Sequence, residues 1–186
     1  MGKTAGDTEA LLLGGRAGVG KTSVAWEVSA LLRDGGVPHA LIEGDYLAQV
    51  HPAPPGDPHR SLLTARNLAA VWGNAAALGH RRLVYANTVG VLEREAGMFR
   101  SAMGPDVRLV RVLLTASDAT ARGRLAGREI GSGLAAELEN SARGARLLDA
   151  EAPAGTVRVA TDGRTVADIA REVLAVTGWT GDPAAG

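Results

Sequence analysis

Gly15-Arg16-Ala17-Gly18-Val19-Gly20-Lys21-Thr22 is the stretch of this sequence whose residue types and spacing define the most specific chemistry. It satisfies G-x-x-x-x-G-K-[ST] in full, a phosphate-binding pattern. Its glycines let successive backbone N–H groups turn inward on an anion without steric cost. A helix starting at Lys21 would add the partial positive charge of its N-terminus. The Lys21 ammonium would reach the outer phosphates of ATP or a similar nucleoside triphosphate. The Thr22 hydroxyl would hold Mg²⁺, and Ser23 follows on the same first turn. A glycine-rich turn that binds nothing is the bland alternative, but the apolar run before it and the amphipathic run after it tell against that. Of twenty basic residues only Lys3 and Lys21 are lysine. A compact ammonium differs chemically from a guanidinium, and inside this arginine-rich chain it stands only where a phosphate would be met.

Glu43-Gly44-Asp45 is the second feature. Residues two apart on a strand share a face, so both carboxylates would leave the carboxyl end of the second strand, where open α/β sheets bind ligands. Asp45 would accept a proton from a substrate hydroxyl or bind Mg²⁺ through water, and Glu43 could support either role. A solvated strand end is the alternative. Further on, Arg124 and Arg128 are four apart and would share a helix face. Arg122 would pair with Asp118 one turn earlier. His51 and His59 flank a proline-rich loop without metal-ligand spacing. Arg60, Arg66, Arg94 and Arg100 could meet an acidic acceptor, although ordinary surface charge explains each.

The elements that would position these groups follow from apolar periodicity. Ala10–Leu13 is a buried strand and Lys21–Arg33 a helix stopped by Asp34-Gly35-Gly36. His39–Glu43 is a strand. Residues 51–58 carry too many prolines for regular structure. Ser61 caps a helix to about Leu78, on which Trp72 follows Leu68 as core. Leu83–Ala86 is a strand, Val91–Met103 a helix and Val107–Leu114 a strand. Helices follow over Ser117 to about Arg128 and Leu134–Leu148, then a strand over Thr156–Ala160. Thr165 with Asp168 forms a capping box for the last helix. This alternation predicts an α/β protein with a mostly parallel sheet covered on both faces.

A chain of 186 residues suits one domain, 1–186, and 46% hydrophobic residues suffice for its core. The formal charge of zero argues against a general nucleic-acid binder. Without cysteine there is no disulfide, zinc-thiolate or cysteine nucleophile. No apolar run has the length of a membrane span. Met1–Glu9 is polar with no signal-peptide core. A cytoplasmic protein is expected, with the ends 1–9 and 180–186 loose and its oligomeric state open.

The phosphate loop, the helix behind it, Glu43-Gly44-Asp45 and the arginine-rich segment together resemble small P-loop metabolite kinases such as adenylylsulfate kinases, gluconate kinases and chloramphenicol phosphotransferases. Asn67–Trp72 with Arg82-Leu83-Val84 also resembles a group of actinobacterial ATP-binding proteins. The resemblance covers about 10–178. It implies a P-loop NTPase fold with five parallel strands and a small mobile lid at about 124–133. In that family the acidic residue after the second strand faces the phosphoryl acceptor, and Asp45 matches it. The family pattern implies that Arg124 and Arg128 close over ATP, and that the loop Thr161-Asp162-Gly163 lies near the adenine. One departure stands out. The third strand ends Tyr85-Ala86-Asn87-Thr88, with no Walker-B aspartate, so Asp45 would carry the metal role or catalysis would be weak. The resemblance therefore implies ATP- and Mg²⁺-dependent transfer to a small-molecule hydroxyl, with a non-kinase ATP-binding switch or ligand-sequestering resistance protein as the alternative. The absence of D-x-x-G and N-K-x-D argues against a GTPase.

Overall fold

Leu11 and Leu13 face one side of the sheet and Ala10 and Leu12 the other, and that alternation organises the whole molecule. The computed structural model describes residues 8–128 and 133–179. Five strands, β1 (Glu9–Gly14), β2 (Ala40–Glu43), β3 (Arg82–Ala86), β4 (Arg108–Thr115) and β5 (Val157–Ala160), form one parallel sheet in the order β2-β3-β1-β4-β5. β1 is central and fully buried along its length, as expected of a strand covered on both faces.

Helices α1 (Lys21–Asp34) and α6 (Val166–Thr177) cover the Leu11/Leu13 face, contributing Val24, Val28, Leu32, Ile169 and Val173 to its core. Helices α2 (Ser61–Ala77), α3 (Ala96–Met103) and α5 (Leu134–Glu151) cover the Ala10/Leu12 face through Leu68, Trp72, Phe99 and Leu148. Trp72 is thus core, as its spacing predicts. The remaining helix, α4 (Asp118–Ala126), follows β4. This is the expected P-loop fold. Among the described residues no helix is long and apolar enough to cross a membrane.

Three local expectations need correction. The segment after β3 is shorter as a helix than Val91–Met103. Val91 and Leu92 are buried connectors, and Glu93–Glu95 make a 3-10 turn before α3. Ser61 does not cap α2. Arg60, at φ 58°, takes the capping position without a side-chain bond, and the Asp57 carboxylate accepts from Leu63 N–H at 3.0 Å. Helix α4 ends at Ala126, because Gly127 closes it with N–H bonds back to Gly123 and Leu125 carbonyls. Arg128 lies in the bend beyond, so it does not share a helix face with Arg124. The Thr165 cap holds, its hydroxyl accepting from Asp168 N–H. In the expected lid, 124–133, residues 129–132 lie outside the described residues, as do most of the expected loose ends.

Candidate active site

The phosphate loop turns between β1 and α1 on backbone that side chains would not tolerate. Gly15, Gly18 and Gly20 have φ of 147°, 83° and 101°. A Cβ on Gly18 would sit 2.6 Å from the Ala121 carbonyl, and one on Gly15 2.8 Å from that of Leu114. The loop is therefore pressed onto β4 and α4, and glycine is the residue that fits.

Side chains from distant elements hold its carbonyls. Ser141 on α5 donates to Ala17 C=O at 2.8 Å. Arg124 on α4 donates to Val19 C=O at 3.0 Å. A trans peptide directs its N–H opposite to its C=O, so these two clamps turn the N–H groups of Gly18 and Gly20 into the loop. Arg124 also donates to the Thr161 hydroxyl and carbonyl, each at 3.0 Å, tying the loop to the end of β5. Arg16, only 6% exposed, points away from the loop interior. Its Nε donates to Ser141 Oγ at 2.8 Å and its Nη1 pairs with Asp118. Asp118 is thus engaged by Arg16 rather than by the expected Arg122, and this pairing holds its carboxyl below the usual range. Removing the Ser141 hydroxyl would strand Arg16 Nε in a buried place. Ser141→Ala should therefore cost about 1–3 kcal/mol of stability, read as a lower denaturation midpoint; an unchanged midpoint would show that the clamp is slack.

A cavity of about 520 Å³ opens over the loop, lined among others by Gly18, Lys21, Thr22, Asp45, Thr88 and Arg128. Lys21 is 9% exposed, and its Nζ donates to Arg16 C=O at 3.4 Å. Burial pushes its pKa down, and Arg128 adds to this against the opposing pull of Asp45, Glu43 and Glu137. Helix α1 starts with no side-chain cap and no acidic residue in its first turn. A buried cation facing uncapped helix amides and inward loop amides fits an anion of phosphate type.

The carboxylates sit beside it. Thr22 Oγ1 donates to Glu43 Oε2 at 3.4 Å, and Glu43 Oε1 is buried without a hydrogen-bond partner. Burial, then the neighbouring Asp45, pushes the Glu43 pKa up. The Thr22 hydroxyl on the cavity wall, with the half-satisfied Glu43 carboxylate directly behind it, fits Mg²⁺ or its water. Asn87, at the place of the absent Walker-B aspartate, donates from Nδ2 to Asp45 Oδ1 at 2.6 Å. Its own Oδ1 accepts from Val89 N–H at 3.0 Å, which fixes which way the amide faces. Asn87 is thus a fixed donor to Asp45, and an aspartate there would repel it. Gly44, between the two acids, is required by packing, since a Cβ would lie 2.2 Å from Tyr85 Oη.

Two further cavities bear on the site, the first of them against the loop itself. One of about 300 Å³ lies on its far side between α1 and α6 and includes Val19, Ser23, Arg124, Arg128 and Arg164. The other, of about 600 Å³, is lined by residues of β3, α2 and the 3-10 turn, including Asn87. Asp162 lines neither. Its carboxylate accepts from Ser117 N–H at 3.1 Å and Ser117 Oγ at 2.7 Å. Hydrogen bonds from Thr120 and Ser117 hold its pKa down at about 2. It braces the loops after β4 and β5.

The structure thus brings Lys21, Thr22, Asp45 and Arg128 to one cavity and puts Ser23 and Arg124 on the neighbouring one. Ser141 and Glu137 were missed by sequence reasoning, and no local pattern marks them; Asp118 and Thr161 were named, but with other partners than the Arg16 and Arg124 they engage. Asn87 was visible, but as a missing carboxylate.

No protein-family model matches the chain, and none of the curated proteins does. Solved structures do. A gluconokinase from Sinorhizobium meliloti is 22% identical, with 90% of each chain covered and a TM-score of 0.57. The Mycobacterium tuberculosis APS kinase in complex with AMPPNP and APS is 19% identical, covering 92% of this chain and 98% of that one, at 0.56. The Deinococcus radiodurans tunicamycin resistance protein is 18% identical, covering 92% and 96%, at 0.58. At such identities the likeness establishes the fold, which is that of small P-loop metabolite kinases.

Proposed function

We propose that this chain is an ATP-dependent kinase that transfers the γ-phosphoryl group to a hydroxyl of a small molecule. One observation carries the reading. Asp45 lines the cavity over the phosphate loop, and its hydrogen-bond partner Asn87 lines the ≈ 600 Å³ cavity beyond. The pair therefore stands at the junction of a phosphate-binding space and a second space large enough for a metabolite. The gluconokinase and APS kinase of like fold are phosphotransferases by name, which supports the same reading.

In this reading the loop amides and Lys21 bind the triphosphate, and Arg128 adds charge from the end of α4. Thr22 and Glu43 hold Mg²⁺, which neutralises phosphate charge. Asp45, oriented by Asn87, positions the acceptor hydroxyl and takes its proton. The cavity lined by Arg124 and Ser23 receives the nucleoside. Most of the rate would come from positioning and fixed charge. Asn87, as the hydrogen-bond partner of Asp45, gives the absent Walker-B carboxylate a role consistent with a kinase.

ATP·Mg²⁺ or ADP·Mg²⁺ should raise the melting temperature, since a ligand bound only by the native state adds ~2.7 kcal/mol at a hundredfold excess over its dissociation constant. Then γ-labelled ATP, offered with a panel of metabolites and antibiotics, should deliver label to an organic product. Label that stays on nucleotide or reaches only water would support the switch or sequestering alternative. No melting shift with any nucleoside triphosphate would remove the nucleotide premise itself.

A further inference from the structure

The chemistry of the ≈ 600 Å³ cavity narrows the acceptor, an inference that rests on the kinase reading above. Its lining includes His59, Ser61, Thr64, Asn87, Arg94 and Glu95, with Val89 and Met98 and the buried Tyr85 as the apolar part. Among the described residues the one guanidinium on it is that of Arg94, and two acids already answer its charge. Arg94 Nε lies 3.5 Å from Glu95, and Nη1 is paired with Glu151 at the end of α5. Three nearby arginines, none of them part of the lining, have partners of their own. Arg100 and Arg111 both meet Glu93, at 3.5 and 2.7 Å, and Arg60 Nε donates to the Val50 carbonyl at 3.1 Å. Arg66 is exposed on α2 and is not part of the lining. Asp45 adds a further carboxylate at the junction, hydrogen-bonded to the lining Asn87.

A carboxylate, sulfate or phosphate on the acceptor would thus meet one arginine of the lining, Arg94, against the carboxylates of Glu95, of Asp45 at the junction and of Glu151 behind Arg94. It would compete for Arg94 with Glu95 and Glu151, two acids that already answer the charge of that guanidinium. What the cavity offers instead is hydrogen bonding from uncharged groups, Ser61, Thr64 and Asn87, beside an apolar wall of Val89, Met98 and the Tyr85 ring. We infer that the acceptor is an uncharged, polyhydroxylated molecule with one apolar face, and that the Glu151–Arg94–Glu95 grouping selects against anionic analogues.

The test is calorimetry on the full chain saturated with AMPPNP·Mg²⁺, using matched pairs that differ by one carboxylate: glucitol against gluconate, and glucose against glucuronate, with myo-inositol as a third neutral ring. At least one neutral compound should bind, at least tenfold tighter than its anionic counterpart where it has one. Equal or tighter binding of an anionic member overturns the inference, and so does saturation by AMPPNP with no neutral compound bound. Failure to bind AMPPNP at all is a different result and strikes the kinase reading instead. Glu151→Gln is the second arm. Glu151 is outside the cavity lining and its pair is at the surface, so the fold should persist, as an unchanged AMPPNP affinity would verify. Freeing Arg94 should raise gluconate and glucuronate affinity about tenfold relative to their neutral partners. No relative gain would show that Arg94 does not control acceptor charge.

Discussion

Asp45→Asn should leave nucleotide affinity nearly unchanged and lower phosphoryl transfer by ~10²–10⁴-fold, the usual contribution of a positioned general base. The substitution keeps size and an acceptor oxygen, so Asn87 Nδ2 can still donate to position 45 and the local geometry survives. What disappears is the negative charge and the ability to take a proton. In the proposed reading triphosphate binding rests on other groups, namely the loop amides held by Ser141 and Arg124 and the Lys21 ammonium. The structure also proposes a division of labour between the two carboxylates. Glu43 touches Thr22 and has a free buried oxygen, while Asp45 is bound to Asn87 at the second cavity. Titrating ATP with and without Mg²⁺ against each mutant separates the roles. Glu43→Gln should weaken Mg²⁺-dependent affinity, and Asp45→Asn should not. Loss of Mg²⁺ dependence in Asp45→Asn would move the metal role to Asp45. A mutant matching the parent in affinity, Mg²⁺ dependence and rate would reduce Asp45 to a turn residue.

The sheet and the phosphate loop were legible in the sequence because both are written locally. Ala10–Leu13 is an apolar run ending at glycine, and the loop's glycines serve backbone angles set within a few residues. Asp45 was singled out by a period of two on β2, but that strand ends at Glu43; Asp45 lies in the 3-10 turn Gly44–Tyr46 beyond it, and the turn rather than a shared strand face carries it to the cavity. What escaped depends on contacts far apart in the chain. Ser141 reaches the loop across 124 residues and Arg124 across 105, and nothing in the periodicity of α4 or α5 announces either. Spacing alone put Arg124 and Arg128 on one helix face, but Gly127 ends the helix between them and sends them to different tasks. Asn87 read as a deficit because a motif compares a position with an expected residue. Only its partner, 42 residues earlier, reveals it as a donor that a carboxylate could not replace. The cap of α2 failed for a similar reason. Ser61 is the right type at the right place, yet Asp57 reaches over the turn and takes the amide first.

Lys21→Met should separate what the ammonium does for nucleotide from what it costs the fold. Methionine keeps an unbranched chain of similar length and a similar helix propensity, so the packing around position 21 changes little. In the nucleotide-free protein Lys21 is buried with one long bond, to Arg16 C=O, and burial depresses its pKa. The unfolded chain therefore holds a proton that the folded chain gives up more readily. Below the folded pKa both states are protonated and the cost of the buried charge is present in full. It is relieved as pH rises from the folded value toward the ordinary 10.5. Arg128 sharpens that cost, whereas Asp45, Glu43 and Glu137 soften it. Removing the charge should leave the melting temperature of the nucleotide-free protein equal or higher at neutral pH, and should flatten the rise of stability with pH in that alkaline window. Triphosphate reverses the balance by supplying the missing counter-charge. Charge-assisted hydrogen bonds contribute about 1.5–3 kcal/mol each, so losing Lys21 should weaken ATP·Mg²⁺ binding by ~10–10²-fold or more and abolish most of the nucleotide-induced melting shift. Thermal melts with and without ATP·Mg²⁺ across pH 7 to 10 read both effects in one experiment. A mutant that melts lower without nucleotide yet keeps the full shift would mean that Lys21 supports the fold and that the phosphates are held by other groups.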